Sequence, residues 1–126
     1  MGTYIIKKSD SGKYHFNLHA KNKEIILTSQ MYMARKGAMK GIRSVMKNAP
    51  IAPIEDTTLK EVVPEKNPKF QIFTGKDEKF YFRLIAANGQ PIGRSEGYND
   101  KSGCKNGIKS VVNNAESEVV KATEKD

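Results

Sequence analysis

The chain has 126 residues, 37% of them hydrophobic and 29% charged, with a mean hydropathy of −0.62 and a net charge of +8. This is the composition of a globular chain rather than a disordered or fibrous one, and the length leaves room for one ordinary domain. No apolar run approaches the roughly 20 residues that span a bilayer, no signal-peptide core opens the sequence, and a single Cys excludes an internal disulfide, so a cytoplasmic protein with no membrane partner is expected.

Tyr4–Lys8 reads as a short strand with Tyr4 and Ile6 on one face, closed by the turn signal Ser9-Asp10-Ser11-Gly12. Lys13–Ala20 alternates, with Tyr14, Phe16, Leu18 and Ala20 on one face and His15, Asn17 and His19 on the other. Glu24–Ser29 is the third strand. A helix follows from about Ala34 to Asn48, with an apolar stripe at Ala38, Gly41, Ile42, Val45 and Ala49. Pro50–Lys69 holds four of the five prolines and reads as a linker, with a short strand at Ile51–Asp56.

The second half repeats the order. Phe80, Phe82, Leu84 and Ala86 form an inward face, and Asn88-Gly89 is a two-residue hairpin signal in which both residues take positive φ. The second helix carries Cys104, Gly107, Ile108, Val111 and Ala115, and Asn99 or Asp100 is placed to cap it. Val119–Ala122 is the counterpart of Ile51–Asp56, and the last few residues are expected to fray.

This is an internal duplication. Tyr4–Ala49 shifted by 66 positions falls on Phe70–Ala115 without a gap, and 16 of the 46 pairs are identical. Each half is near the length at which a core is hard to sustain alone, so the halves are expected to share one. The units read as residues 1–58 and 70–122, joined by a linker over 59–69 and followed by a tail over 123–126. Two glycines inside each helix cost roughly 1 kcal/mol apiece relative to Ala, which implies close packing of the helix against the sheet.

The run Phe82-x-Leu84-x-Ala86-Ala87-Asn88-Gly89, then Ser95-Glu96-Gly97-Tyr98, then Gly103-Cys104-Lys105-Asn106-Gly107-Ile108-x-Ser110-Val111 with Asn114-Ala115, resembles the YegP-like family, small bacterial and archaeal proteins of uncharacterised function. The resemblance implies an α+β fold: βββαβ units forming one antiparallel sheet, two helices on one face, and the last strand of each unit pairing with the other unit. It supplies no catalytic residues and no cofactor. The first copy departs from the pattern at Lys23 and Met31, where the second has Gly89 and Gly97. A lysine is costly at positive φ, so a longer loop is expected in the first hairpin.

Charge singles out two places. Tyr4–Ala49 alone carries a net charge equal to that of the whole chain, and Lys36, Lys40, Arg43 and Lys47 line one helix face with Arg35 beside it. Such a ridge tracks phosphates in nucleic-acid binders, and elsewhere is a solvated helix face. Arg83 and Arg94 would stand opposite each other across a two-residue hairpin, which is unfavourable for like charges. Either that face binds an anion or the loop is longer than two residues, and the reading leans to the longer loop. His15 and His19 are roughly 13 Å apart on a strand and form no metal pair. Cys104 falls on the apolar stripe and reads as a core residue. No carboxylate pair and no Ser/His/Asp arrangement is present, so an enzyme is not expected. The expected role is an interaction module for a protein partner or for itself, with nucleic-acid binding through the basic first half as the alternative.

Overall fold

A computed structural model describes all of residues 1–126. The first half runs β1 (Thr3–Lys8), β2 (Tyr14–His19), β3 (Ile25–Ser29), α1 (Arg35–Asn48) and β4 (Ile54–Asp56). The second half runs β5 (Lys69–Thr74), β6 (Phe80–Ile85), β7 (Pro91–Arg94), α2 (Lys101–Asn114), β8 (Glu118–Val119) and β9 (Glu124–Lys125). All nine strands join one sheet, in the order β4-β5-β6-β7-β3-β2-β1-β8 with β9 also on β1. The fold is therefore α+β, two helices and a single sheet.

The sheet is mixed rather than antiparallel. β4 lies parallel to β5, and β8 and β9 lie parallel to β1. A hairpin forces its two strands antiparallel, whereas the long connection between β4 and β5 does not. The last residues, expected to fray, extend this edge: Lys7 pairs with Glu124, and the Asp126 N–H donates to the Lys8 carbonyl at 2.9 Å.

Period-two alternation turns Tyr4, Ile6, Phe16, Leu18, Phe70, Ile72, Phe82 and Leu84 inward, where they join Ala38, Ile42, Val45, Cys104, Ile108 and Val111 of the helices in one continuous core. The helical glycines make room for a tyrosine. Tyr32 lies stacked on Phe16, and Tyr98 on Phe82, each ring reaching the helix at Gly41 or Gly107. A Cβ at Gly41 would stand 2.9 Å from the Phe16 ring, and one at Gly107 would stand 3.0 Å from Phe82.

A serine stands where the third strand of each half ends, Ser29 at the last residue of β3 and Ser95 just past β7. Phe16 N–H donates to Ser29 Oγ at 2.8 Å and Phe82 N–H to Ser95 Oγ at 3.0 Å, so a side chain replaces a ladder carbonyl as the chain leaves the sheet. Each hydroxyl donates in turn to the next carbonyl, of Gln30 or Glu96, at 2.8 Å. Asp100 caps α2 by accepting the Gly103 N–H at 2.7 Å, while Ala34 at the start of α1 has no such side chain.

The second hairpin has the longer loop that its opposed arginines favoured over the Asn88-Gly89 signal, and the first departs from the expectation. Gly89 N–H donates to Ala86 O, and Ala86 N–H to Gln90 O, both at 2.9 Å, which makes a three-residue loop with only Gly89 at positive φ (86°). Lys23 N–H and Ala20 N–H form the same pattern, so the first loop is no longer than the second, and Lys23 itself adopts φ 71°. The other hairpin shows the reverse: Gly12 has φ 81° in the first half and Glu78 has φ 63° at the corresponding place. The left-handed region costs a non-glycine residue roughly 1–2 kcal/mol, and glycine loses part of that gain through its freer unfolded chain. Lys23→Gly and Glu78→Gly are each expected to stabilise the protein by about 0.5–1 kcal/mol in urea unfolding.

Contacts between the two ends of the chain tie the halves together. Buried Tyr4 on β1 donates its hydroxyl to the Ala115 carbonyl at the end of α2 (2.6 Å), and Gly2 N–H donates to Asn114 Oδ1 (2.9 Å). Tyr4→Phe is expected to lower the unfolding free energy by about 1–2 kcal/mol, since it leaves a buried carbonyl without its donor.

At the opposite edge Glu55 of β4 is 5% exposed and accepts Lys69 Nζ (2.8 Å), Gln71 Nε2 (2.7 Å) and the Glu65 N–H (2.9 Å). The Lys69 and Gln71 hydrogen bonds hold its carboxyl down from 4.5 to about 2. A carboxyl whose folded value is depressed stabilises the fold above its unfolded value and loses that contribution as the pH falls through the folded one. Stability is thus expected to decline from about pH 4.5 toward pH 2, with a shallower decline in Glu55→Gln when urea midpoints are compared across that window.

Candidate functional site

The helices cover one face of the sheet. Across the other runs a row with one residue from each of seven strands: Ile5, Asn17, Thr28, Arg94, Arg83, Gln71 and Glu55, each the Cα partner of the next. Its middle pair is Thr28 and Arg94, positions that correspond in the two halves, and on either side of them stand Asn17 and Arg83, which also correspond. The row is therefore symmetric in position about its middle pair and asymmetric in charge: Ile5, Asn17 and Thr28 are neutral, two guanidinium groups stand at Arg94 and Arg83, and the Glu55 carboxylate closes the far end.

The loop is longer than two residues, yet Arg83 still faces Arg94. A bulge explains this. Leu84 pairs with Gly93 but Ile85 pairs with Pro91, so the extra residue, Ile92, cancels the extra loop residue and turns inward, 4% exposed. Ile26 does the same between β2 and β3. Because the Ser95 N–H bonds to the Phe82 carbonyl at 2.9 Å, Arg83 and Arg94 occupy a non-hydrogen-bonded pair, the closer of the two cross-strand spacings, at about 4.5 Å between Cα atoms.

Neither arginine meets a carboxylate; the ion pairs of the protein are Lys7–Glu124, Lys69–Glu55 and Lys101–Asp56, and Asp126 lies near His15. Arg83 Nε donates to Gln71 Oε1 (2.7 Å), itself anchored on Glu55, and the guanidinium carbon lies 5.1 Å from the Phe73 ring centre. That leaves the end of the Arg83 fork open. Phe73 stacks on Tyr81 with ring centres 5.7 Å apart. Tyr81 donates its hydroxyl to Asp77 Oδ2 at 2.5 Å, a bond that holds the Asp77 carboxyl below its ordinary range. An open depression of about 440 Å³ lies between Thr28, Gln30, Phe73, Arg83 and Arg94, and Phe73 and Arg94 are shared with a second one beside Asp77 and Tyr81. The Gln30 amide reaches across to the Pro91 carbonyl at its rim.

The seven basic residues singled out from sequence do not form one site. Lys36, Lys40, Arg43 and Lys47 are exposed on α1, on the helical side of the sheet, and Arg83 and Arg94 are on the other. Arg35 leaves the ridge: its Nε donates to Thr123 Oγ1 and its Nη2 to the Lys121 carbonyl, both at 2.8 Å, which fastens the C-terminal segment. Phe73, Gln71 and Thr28 were missed. Gln71 and Phe73 alternate with Phe70 and Ile72, so period two places them outward, but only the cross-strand register brings them beside Arg83.

The remaining reactive side chains are engaged elsewhere. Cys104 is fully buried, and burial pushes its thiol up to about 11. His19 Nδ1 lies 3.0 Å from the Lys23 carbonyl, while His15 Nδ1 is 3.9 Å from Asp126 at the other end of β2. No three His, Cys, Asp or Glu side chains come together as a metal group would require, and no helix is long and apolar enough to cross a membrane. Asn17, on the outer face, is 5% exposed, and its Oδ1 has no protein partner.

Comparison with known proteins places the chain. A family model described as a domain of unknown function, DUF1508, matches it twice, over residues 9–56 and 76–121. The UPF0339 protein of Bordetella pertussis is 44% identical over 115 residues, 91% of this chain and 90% of that one. The UPF0339 protein YegP of Yersinia pestis is 40% identical over 121 residues, 96% of this chain and 95% of that one. Among solved structures, the solution structure of yegP from E. coli, a protein of unknown function, covers 99% of this chain and 92% of its own, with 33% identity and a TM-score of 0.77. That of a UPF0339 protein from Shewanella oneidensis covers 98% and 90%, with 35% identity and a TM-score of 0.75. With two family matches across most of its length and relatives aligned nearly end to end, the chain belongs to the DUF1508 family of UPF0339 proteins, as its YegP-like motifs had indicated.

Proposed function

We propose that this protein is a non-catalytic interaction module that offers the uncovered face of its sheet to a partner. It is built from two tandem units, residues 1–58 and 70–122, linked by 59–69 and trailed by 123–126, with the last strand of each unit on the edge of the other. The pairing of β4 with β5 and of β8 with β1 supports that arrangement. So does the doubled match of the family model.

The observation that carries the functional reading is the outer row itself. One face of the sheet is packed under helices; the other exposes two opposed, unneutralised arginines beside a pair of stacked aromatic rings. Polar groups alternate outward on any half-covered sheet. Opposed arginines are different, because they lower the stability of the free protein and gain only when something anionic or polar lies across them. The groups that would serve nucleophilic chemistry are committed to packing or to backbone hydrogen bonds: Cys104 to the core, Ser29 and Ser95 to strand ends.

Covalent labelling of arginine, tyrosine and lysine inside the host cell, compared with the purified protein, tests this reading. Arg83, Arg94 and Tyr81 are expected to be protected in the cell, with Lys40 and Arg43 labelled equally in both. Equal labelling of the sheet face in the two settings contradicts the proposal. Protection confined to Lys36, Lys40, Arg43 and Lys47 would instead favour nucleic acid on the helix ridge, in which case affinity for mixed RNA and DNA should fall steeply with salt.

A further inference from the structure

We infer that the depression between Arg83 and Arg94 is a binding site for a phosphate group, of the kind carried by a phosphate monoester. The inference rests on the reading of the outer face as the working surface and gives it a ligand chemistry. Three observations lead to it. The two arginines hold adjacent places on neighbouring strands and line the same depression, with no carboxylate on either. Arg83 is fixed from behind, by Gln71 on its Nε and by the Phe73 ring beneath it, so its terminal nitrogens are aimed rather than free to wander. The space they border, about 440 Å³, is open and includes the side chains of Thr28 and Gln30 as further polar neighbours.

Charge selects the ligand. A carboxylate carries one negative charge and meets one fork, which leaves the second arginine unneutralised. A phosphate monoester carries a charge of about −1.5 to −2 at pH 7 and three terminal oxygens, enough to meet both forks at once. Its binding replaces a cross-strand repulsion with two charge-assisted contacts. Asp77 is the nearest acidic group in the adjoining depression, and it is turned to Tyr81 and the Lys79 N–H rather than to the arginines.

The first half supplies the control. Thr28 and Asn17 stand where Arg94 and Arg83 stand in the second half, on the same backbone. Arg94→Thr and Arg83→Asn therefore install side chains this sheet already accommodates at the corresponding positions.

The test is an amide chemical-shift titration of the full chain with inorganic phosphate, and in a second arm with a phosphorylated sugar, at constant ionic strength. Saturable shifts are expected at the Thr28, Gly93 and Arg94 amides. Arg94→Thr is expected to weaken the response at least about tenfold and, in phosphate-free buffer, to raise Tm by about 1–4 °C through relief of the repulsion. Affinity for the sugar phosphate is also expected to fall as the pH drops through about 6, where a monoester dianion takes up a proton. Stronger binding of the sugar phosphate than of inorganic phosphate assigns the site to a monoester; equal binding assigns it to the free ion. Absence of saturable shifts up to about 50 mM phosphate, weaker than any affinity the two forks should give, overturns the inference. So do shifts that survive in Arg94→Thr. In either of those cases protection of the sheet face inside the cell would leave the interaction reading standing without its phosphate.

Discussion

The structure depends on one constraint: each half finishes its packing on the other. The first strand ends up between β2 of its own half and β8 of the other, and the hydroxyl of Tyr4 closes on the last turn of α2. At the opposite edge β4, which follows α1, is hydrogen-bonded to β5 and locked there by Glu55 on Lys69 and Gln71. A half of this size buries too little apolar surface to offset its conformational entropy comfortably. Joining twenty buried residues from both halves into one core removes that limitation. It also fixes the geometry of the outer face, because the β3–β7 seam that joins the halves is the seam beside which the arginines stand.

The two halves share an order of elements but are free to differ, and the differences are local. The turns exchange their glycines: one half has glycine at the left-handed position of its first hairpin, the other at that of its second. The outer row diverges further, from Asn17 and Thr28 to Arg83 and Arg94, on a backbone whose bulges at Ile26 and Ile92 are the same. The inner face is held to shape by packing, with Phe16 and Phe82, or Tyr32 and Tyr98, in matching stacks. Packing sets the inner face, and the outer one is left to carry whatever distinguishes the halves.

Much of the fold was legible in the sequence. Period-two and helical spacing identified the inward residues, Asn99 or Asp100 marked a helix start, and the paired helical glycines marked a close approach to the helix, although not that a tyrosine ring makes it. Pairing direction was not legible, since parallel and antiparallel edges share the same alternation and only the connection distinguishes them. Nor was the hairpin geometry. Asn88-Gly89 signals a tight turn, but a compensating bulge lies outside the turn residues, and without it the facing of Arg83 and Arg94 could not be told from an artefact of loop length. The candidate site was half visible for the same reason: its two arginines come from charge, whereas Phe73, Gln71 and Thr28 come from the register of four strands. Arg35 looked like part of a basic ridge because its tether, the segment around Lys121–Thr123, is distant in sequence.

Whether either half is complete by itself can be decided by producing residues 1–66 alone and following their far-ultraviolet signal with temperature. The expected result is a gradual loss of signal with no cooperative transition, because β1 would lose β8 and β9 and the first half would lose the second half of its core. A monomer that melts in a single sharp transition would contradict it.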